Sequence, residues 1–329
     1  MREVRAFALA AGPLPASRPA AAFVREGDLA VSLSDPAAAA ALFHKTGLVV
    51  FGGAAPTALV DGCRGAFAET RRRVDLALLD RGIGIHGDEG GQPSYMGFEV
   101  AFNEVCQRGR ERLDIRGLGM AKGEPALAHA SPMLDARLHA SASWLPFVRA
   151  VLGANAHECF RGVVDNRPGS GAQEWHADGV HANYEDGATA PLGVAAWHAK
   201  SGALGASGRE EAAQRLTLFL PLTDLADPAC GAAEFFPGSH THATANLYRH
   251  LHPTDHESQP NFCAPRPAYG GMIAFDYRLV HRGCPNTRAR GGASRPILYI
   301  VYARGGCTDE QTFPTDKPLF RYGSFCSVG

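Results

Sequence analysis

Reduced to apolar and polar positions, the chain changes period near its middle. In the N-terminal half, apolar residues recur at helical spacing. Residues 34–45, SDPAAAAALFHK, predict a helix. Ser34 or Asp35 can cap its free N–H groups, Pro36 suits its first turn, and Ala and Leu favour its body. Gly47 stops it. LVVF at 48–51 reads as a short buried strand. Val60, Cys63, Phe67, Val74 and Leu78 share one face of a long predicted helix at 57–80, with Gly62 and Gly65 weakening its first turns. The Gly-rich stretch 83–98 predicts a loop. A further helical stretch, 131–152, is kinked or divided at Pro146.

From residue 157 the pattern turns to short β-like runs separated by Gly, Pro, Asn and Asp. They are ECFRGVV at 158–164, LTLFLPL at 216–222, AEFFP at 233–237, MIAFDY at 272–277 and ILYIVYA at 297–303. Many short strands with polar turns predict an antiparallel sandwich or barrel. No linker composition divides the halves. The expectation is one α+β domain, 34–329, with helices outside a β core at about 157–304 and a flexible leader at 1–33.

Composition narrows the function classes. The 329 residues are enough for one large core. A net charge of −1 gives no bulk attraction to nucleic acid or anionic lipid, so neither partner is expected. No apolar run reaches the about 18 residues of a membrane span. The eight Cys, at 63, 106, 159, 230, 263, 284, 307 and 326, form no C-x-x-C pair. They read as reduced thiols of a cytoplasmic protein, with neither a zinc site nor a disulfide framework. The N-terminus has Arg and Ala, but Glu3, Pro13, Pro15 and Pro19 make a poor transit helix.

The candidate chemistry lies in three places. The first is QEWHADG at 173–179. In an extended chain, positions i and i+2 point the same way, so His176 and Asp178 can enter one cavity. The second is FDYRLVHRG at 275–283, where His281 follows an apolar strand and precedes a turn. Two His and one carboxylate on a single face of an octahedron leave three positions open, the ligand set of non-haem Fe(II) oxygenases. The third is Arg295, fourteen residues after His281 and at the start of ILYIVYA. Its planar guanidinium can hold a carboxylate by two parallel hydrogen bonds. The widened turn RARGGAS at 288–294 leaves Arg288 and Arg290 as rivals for that role.

Taken together, W-H-x-D, then P-G-S-H at 237–240, then H-R-G-x-x-N followed by R-P-x-L-Y resemble the phytanoyl-CoA dioxygenase-like family over roughly 40–304. The resemblance implies a double-stranded β-helix (jelly-roll, cupin-like) core with N-terminal and flanking helices. It implies His176, Asp178 and His281 as Fe(II) ligands and Arg295 as the 2-oxoglutarate clamp, with O2 as the other co-substrate. The implied reaction is oxidation of an unactivated C–H bond of a small metabolite in natural-product biosynthesis, with release of succinate and CO2. Hydroxylation, desaturation and oxidative cyclisation remain open, as does an acyl-CoA substrate. Related halogenases lack the metal-binding carboxylate, so Asp178 points to an oxygenase. A non-catalytic jelly-roll binding or sensing protein is the alternative of a different class.

Residues 182–214 are long for the family and predict an inserted loop or lid. Trp175, His181, Asn183, Tyr184 and Trp197 are the candidate substrate contacts, with Trp175 placed at the barrel mouth. The other histidine cluster, His240, His242, His250, His252 and His256, has no carboxylate partner in the family pattern, and His240 belongs to a structural turn. Arg108, Arg110, Arg112 and Arg116 read as a solvated or salt-bridged segment.

Overall fold

The computed structural model describes residues 26–83, 100–116, 142–179, 213–240, 262–289, 291–307 and 317–320. Helix α1, Pro36–Thr46, forms where its caps predict: the Asp35 carboxylate accepts from the Ala38 N–H, and Gly47, at φ 72°, closes the C-terminus on the Phe43 carbonyl. Helix α2, Thr57–Asp80, buries Val60, Cys63, Phe67, Thr70, Val74 and Leu78. Of the helical stretch expected at 131–152, the described part forms helix α3, Leu145–Leu152, with Pro146 in its first turn, where a proline costs no hydrogen bond. Residues 131–141 lie outside the described residues.

The strands are β1 (Ala30–Val31), β2 (Leu48–Phe51), β3 (Val105–Gln107), β4 (Arg112–Arg116), β5 (His157–Asn166), β6 (Arg215–Pro221), β7 (Ala233–Phe235), β8 (Met272–Asp276), β9 (His281–Gly283) and β10 (Arg295–Ala303). Eight of them form one sheet in the order β1-β2-β8-β6-β10-β5-β4-β3, and β7 and β9 form a second. Every pair is antiparallel except β1 with β2. Isolated bridges extend the small sheet on both sides, Phe235 to Cys263 and His176 to His281.

Alternation along the large sheet sorts its side chains. Val49, Phe51, Leu216, Leu218, Leu220, Leu298, Ile300 and Val163 share one core with the helices, where the Phe147 ring packs edge-on to Phe43 and Phe51. The opposite face meets the small sheet through Leu48, Ile273, Phe275, Phe235 and Leu279. The space between the two sheets is where the site lies.

Two expectations need correction. The leader does not extend to residue 33: residues 26–29 form a short 3-10 turn, β1 pairs with β2, and Leu29 is fully buried. The Arg-rich segment 108–116 is not solvated. It supplies β4, and Arg112 is only 2% exposed. Leu113 and Ile115 join the helix-side core, so Arg112, Asp114 and Arg116 must face between the sheets. The salt-bridged half of that expectation holds, since Arg108 pairs with Asp114 at 3.2 Å.

Candidate metal centre

His176 and His281 face each other across a narrow antiparallel bridge. The His176 N–H donates to the His281 carbonyl at 3.0 Å, and the His281 N–H donates back at 2.8 Å. Their rings lie 4.5 Å apart, centroid to centroid. Asp178 completes the group: one carboxylate oxygen is 3.9 Å from His176 Nε2 and the other 3.8 Å from His281 Nε2. One ligand atom from each of the three residues lies within 4.8 Å of the others.

The backbone sets the state of both imidazoles. His176 Nδ1 is 2.7 Å from the Glu174 carbonyl, and His281 Nδ1 is 2.9 Å from the Leu279 carbonyl. A carbonyl only accepts, so each Nδ1 carries a proton and each Nε2 is turned toward Asp178. Burial, with the charge of His281 adding, pushes the His176 imidazole down to about 4, so it stays neutral and ready to ligate at neutral pH. His281 is wedged against Phe275 and Phe235, at 4.8 and 5.8 Å between ring centroids. Two imidazole nitrogens fixed by hydrogen bonds to the backbone, with one carboxylate between them, fit a divalent transition ion.

Arg295 lies on the same interlayer face. Strand register places it beside Asn166 of β5, which in turn faces Arg112 of β4. Arg295 is 3% exposed, its Nε has no hydrogen-bond partner, and it makes no ion pair among the described residues. Burial pulls its guanidinium down to about 10. It therefore stays charged at neutral pH, and a buried charge without a counterion is costly. Arg112 was not singled out from the sequence as a site residue. It donates to Asn166 Oδ1 at 2.9 Å and to the carbonyls of Gly171, Gly283 and Cys284 at 3.0, 3.3 and 3.0 Å. Burial and the neighbouring Arg295 charge lower it to about 9. All its partners are neutral, so the row Arg112–Asn166–Arg295 is a buried dication. The sequence signal was the alternation R-L-D-I-R, whose polar face points inward.

Of the rival arginines, Arg288 is engaged elsewhere: its Nε donates to Asp227 at 2.8 Å and its Nη1 to the Ala293 carbonyl. Arg290 lies outside the described residues, as do His181, Asn183, Tyr184, Trp197, His242, His250, His252, His256 and almost all of the 182–214 loop. His240 Nε2 lies 3.0 Å from the His44 carbonyl, a link between the P-G-S-H turn and α1. Trp175 is 5% exposed and packs on Phe236 and Arg282, on the opposite side of its extended segment from His176.

No protein-family model matches the chain, and no curated protein is similar to it in sequence. Several solved structures are similar to it, each at a TM-score below 0.5. AviO1 from Streptomyces viridochromogenes Tue57 is 18% identical, with 84% of this chain and 98% of that one covered and a TM-score of 0.49. SnoK, a non-heme alpha ketoglutarate dependent carbocyclase from nogalamycin biosynthesis, is 16% identical over 81% of this chain and 83% of its own, at a TM-score of 0.48. HygX from Streptomyces hygroscopicus, with nickel and 2-oxoglutarate bound, is 17% identical over 82% and 88%, at 0.46. Likenesses this distant do not carry a function; the site's own chemistry has to.

Proposed function

We propose that this chain is an Fe(II)- and 2-oxoglutarate-dependent oxygenase with a jelly-roll core, of the phytanoyl-CoA dioxygenase-like kind. The observation that carries the reading is a conjunction: a His-Asp-His group with both Nε2 atoms presented, and a buried, uncompensated arginine on the same interlayer face. The large sheet and the β7–β9 sheet are then the two walls of the jelly-roll.

His176 Nε2, His281 Nε2 and one Asp178 oxygen hold Fe(II). When bound, the metal supplies, with 2-oxoglutarate and O2, the oxidising power to break an unactivated C–H bond, with succinate and CO2 released. The residues of the chain bind, orient and shield. Arg295 takes the distal carboxylate of the oxo acid, exchanging an unpaired buried charge for two charge-assisted hydrogen bonds. Arg112 adds positive potential beside it and ties the segments leading to His176 and away from His281 through Gly171 and Gly283. Ile297 and Val164, next along the same face, keep water from the co-substrate chain. Asp178 takes the ligand position that a halogenase leaves to chloride. The substrate is a small metabolite, and the product an alcohol, alkene or new ring.

The test is an anaerobic titration of the full chain with Fe(II) and 2-oxoglutarate, followed by O2. The expected results are a weak metal-to-ligand charge-transfer band and succinate release on oxygenation. Absence of both would reduce the chain to a non-catalytic binding protein. His176→Ala is expected to lose stoichiometric metal. Arg295→Ala is expected to raise the KM for 2-oxoglutarate at least about tenfold, the size of a lost charge-assisted bond, while Arg288→Ala stays near wild type. If Arg288→Ala carries the effect instead, the clamp is misassigned.

A further inference from the structure

We propose that Arg282, ion-paired to Glu234 and stacked on Trp175, is a positioning clamp that holds the two imidazole-bearing segments at metal-binding spacing. The inference rests on the metal-site reading above.

His176 and His281 form one hydrogen-bonded cross-strand pair. In an antiparallel bridge the adjacent pair, Trp175 opposite Arg282, is the closer, non-hydrogen-bonded kind, and its side chains lie on the other face. There the Arg282 guanidinium carbon sits 4.6 Å from the Trp175 ring centroid. Arg282 Nε donates to Glu234 Oε2 at 2.6 Å, and Glu234 is the residue opposite Arg282 on β7. Trp175 also packs on Phe236, just beyond β7, at 4.6 Å between centroids. One guanidinium therefore links three neighbouring segments directly behind the two imidazoles.

The link matters because the ladder here is short. The 173–179 segment is no strand; beyond the single His–His bridge it is joined to β9 through Gln173 and Gly283. Side-chain contacts must supply the lateral restraint that a longer ladder would give. Arginine suits the task because its plane can stack on an indole while its edge donates to a carboxylate. Lysine keeps the charge but cannot do both. Trp175, placed by the sequence at the barrel mouth and held there as a candidate substrate contact, acts in this reading through His176.

The experiment is a Co(II) titration of the metal-free full chain, read by ligand-field absorption, with urea unfolding of the same metal-free samples. Arg282→Lys and Trp175→Leu are each expected to weaken Co(II) binding about tenfold or more, the range for groups that orient metal ligands. The Trp175→Leu, Arg282→Lys double variant is expected to bind little worse than either single variant, since one clamp is lost once. Trp175→Phe, which keeps a ring under the guanidinium, is expected to fall between wild type and Trp175→Leu. It also serves if a harsher variant fails to fold. Folded variants that bind Co(II) within about twofold of wild type would overturn the clamp, as would single losses that multiply fully in the double variant. A Trp175→Leu variant with normal Co(II) affinity but a raised substrate KM would return Trp175 to the substrate pocket and overturn it too. Wild-type chain that takes up no Co(II) would remove the metal-site reading, and the clamp with it.

Discussion

Single residues at this site owe their chemistry to burial and to the backbone contacts that orient their rings. His176 and His281 are ligands in waiting because each Nδ1 proton is committed to a carbonyl two residues upstream, Glu174 and Leu279. Arg295 is suited to the proposed anion clamp because, among the described residues, it is buried and makes no ion pair. Other buried groups are held inert by the same physics. Cys106 is 4% exposed, and burial pushes its thiol up from 9.0 to about 11. The thiolate is the reactive form, so iodoacetamide at pH 8 should leave Cys106 unmodified in folded protein and alkylate it in urea, as read by peptide mass spectrometry. The sign follows for stability. The folded thiol resists ionisation, so its contribution is intact below pH 9 and is lost as pH rises through 9 toward 11. Rapid alkylation of Cys106 in the native state would show that β3 opens far more readily than its packing implies.

At the scale of elements, α1, β2 and α2 could be read from the sequence because their signals are local: Asp35 and Gly47 bracket α1, and a single apolar stripe defines α2. Strand β4 was missed for a physical reason. Its polar positions, Arg112, Asp114 and Arg116, resemble a surface, but they are the inner face of a site, satisfied by partners up to 185 positions away. Tyr299 of β10 donates to Asp114 at 2.9 Å, reaching over β5 at Gly162. A Cβ on residue 162 would sit 2.5 Å from the Tyr299 hydroxyl, so glycine is what lets β10 and β4 meet. Gly162→Ala is expected to destabilise the fold by about 1–3 kcal/mol, the usual cost of overpacking, measured by urea unfolding. A change within 0.5 kcal/mol, the size of an ordinary surface substitution, would mean the Tyr299–Asp114 contact is dispensable.

For the whole molecule, the question is how the helical layer is fastened to the sheet that carries the site. Apolar packing does most of it, and a buried charge network adds to it. Asp165 of β5 is fully buried and meets Arg71 of α2 at 3.1 Å and Arg167 at 3.2 Å, while Arg167 also pairs with Asp75 of α2. Removing the central acid leaves two guanidiniums, one of them 5% exposed, to share the half-buried Asp75. Asp165→Ala should therefore cost about 3 kcal/mol, the low end for breaking a buried pair, read as a fall in urea midpoint without a change of slope. Arg71 is 30% exposed, so Arg71→Ala should cost much less. Equal losses in the two variants would argue against a central role for Asp165.

The amino-acid sequence by itself determined the local elements and the residue types of the site. Caps, periodicity and the H-x-D, distal His and Arg-Pro motifs are all short-range patterns, and short-range physics decides them. Tertiary structure alone decided three things. It joined positions 176, 178 and 281 into one group of ligand atoms, which needs a bridge between segments a hundred residues apart. It separated Arg295 from Arg288, because only folding reveals that one guanidinium is spent on Asp227 while the other is buried and, among the described residues, makes no ion pair. It also turned β4 inward and Trp175 outward, because the direction in which a strand's alternating faces point is set by what packs against them and not by the strand's own residues.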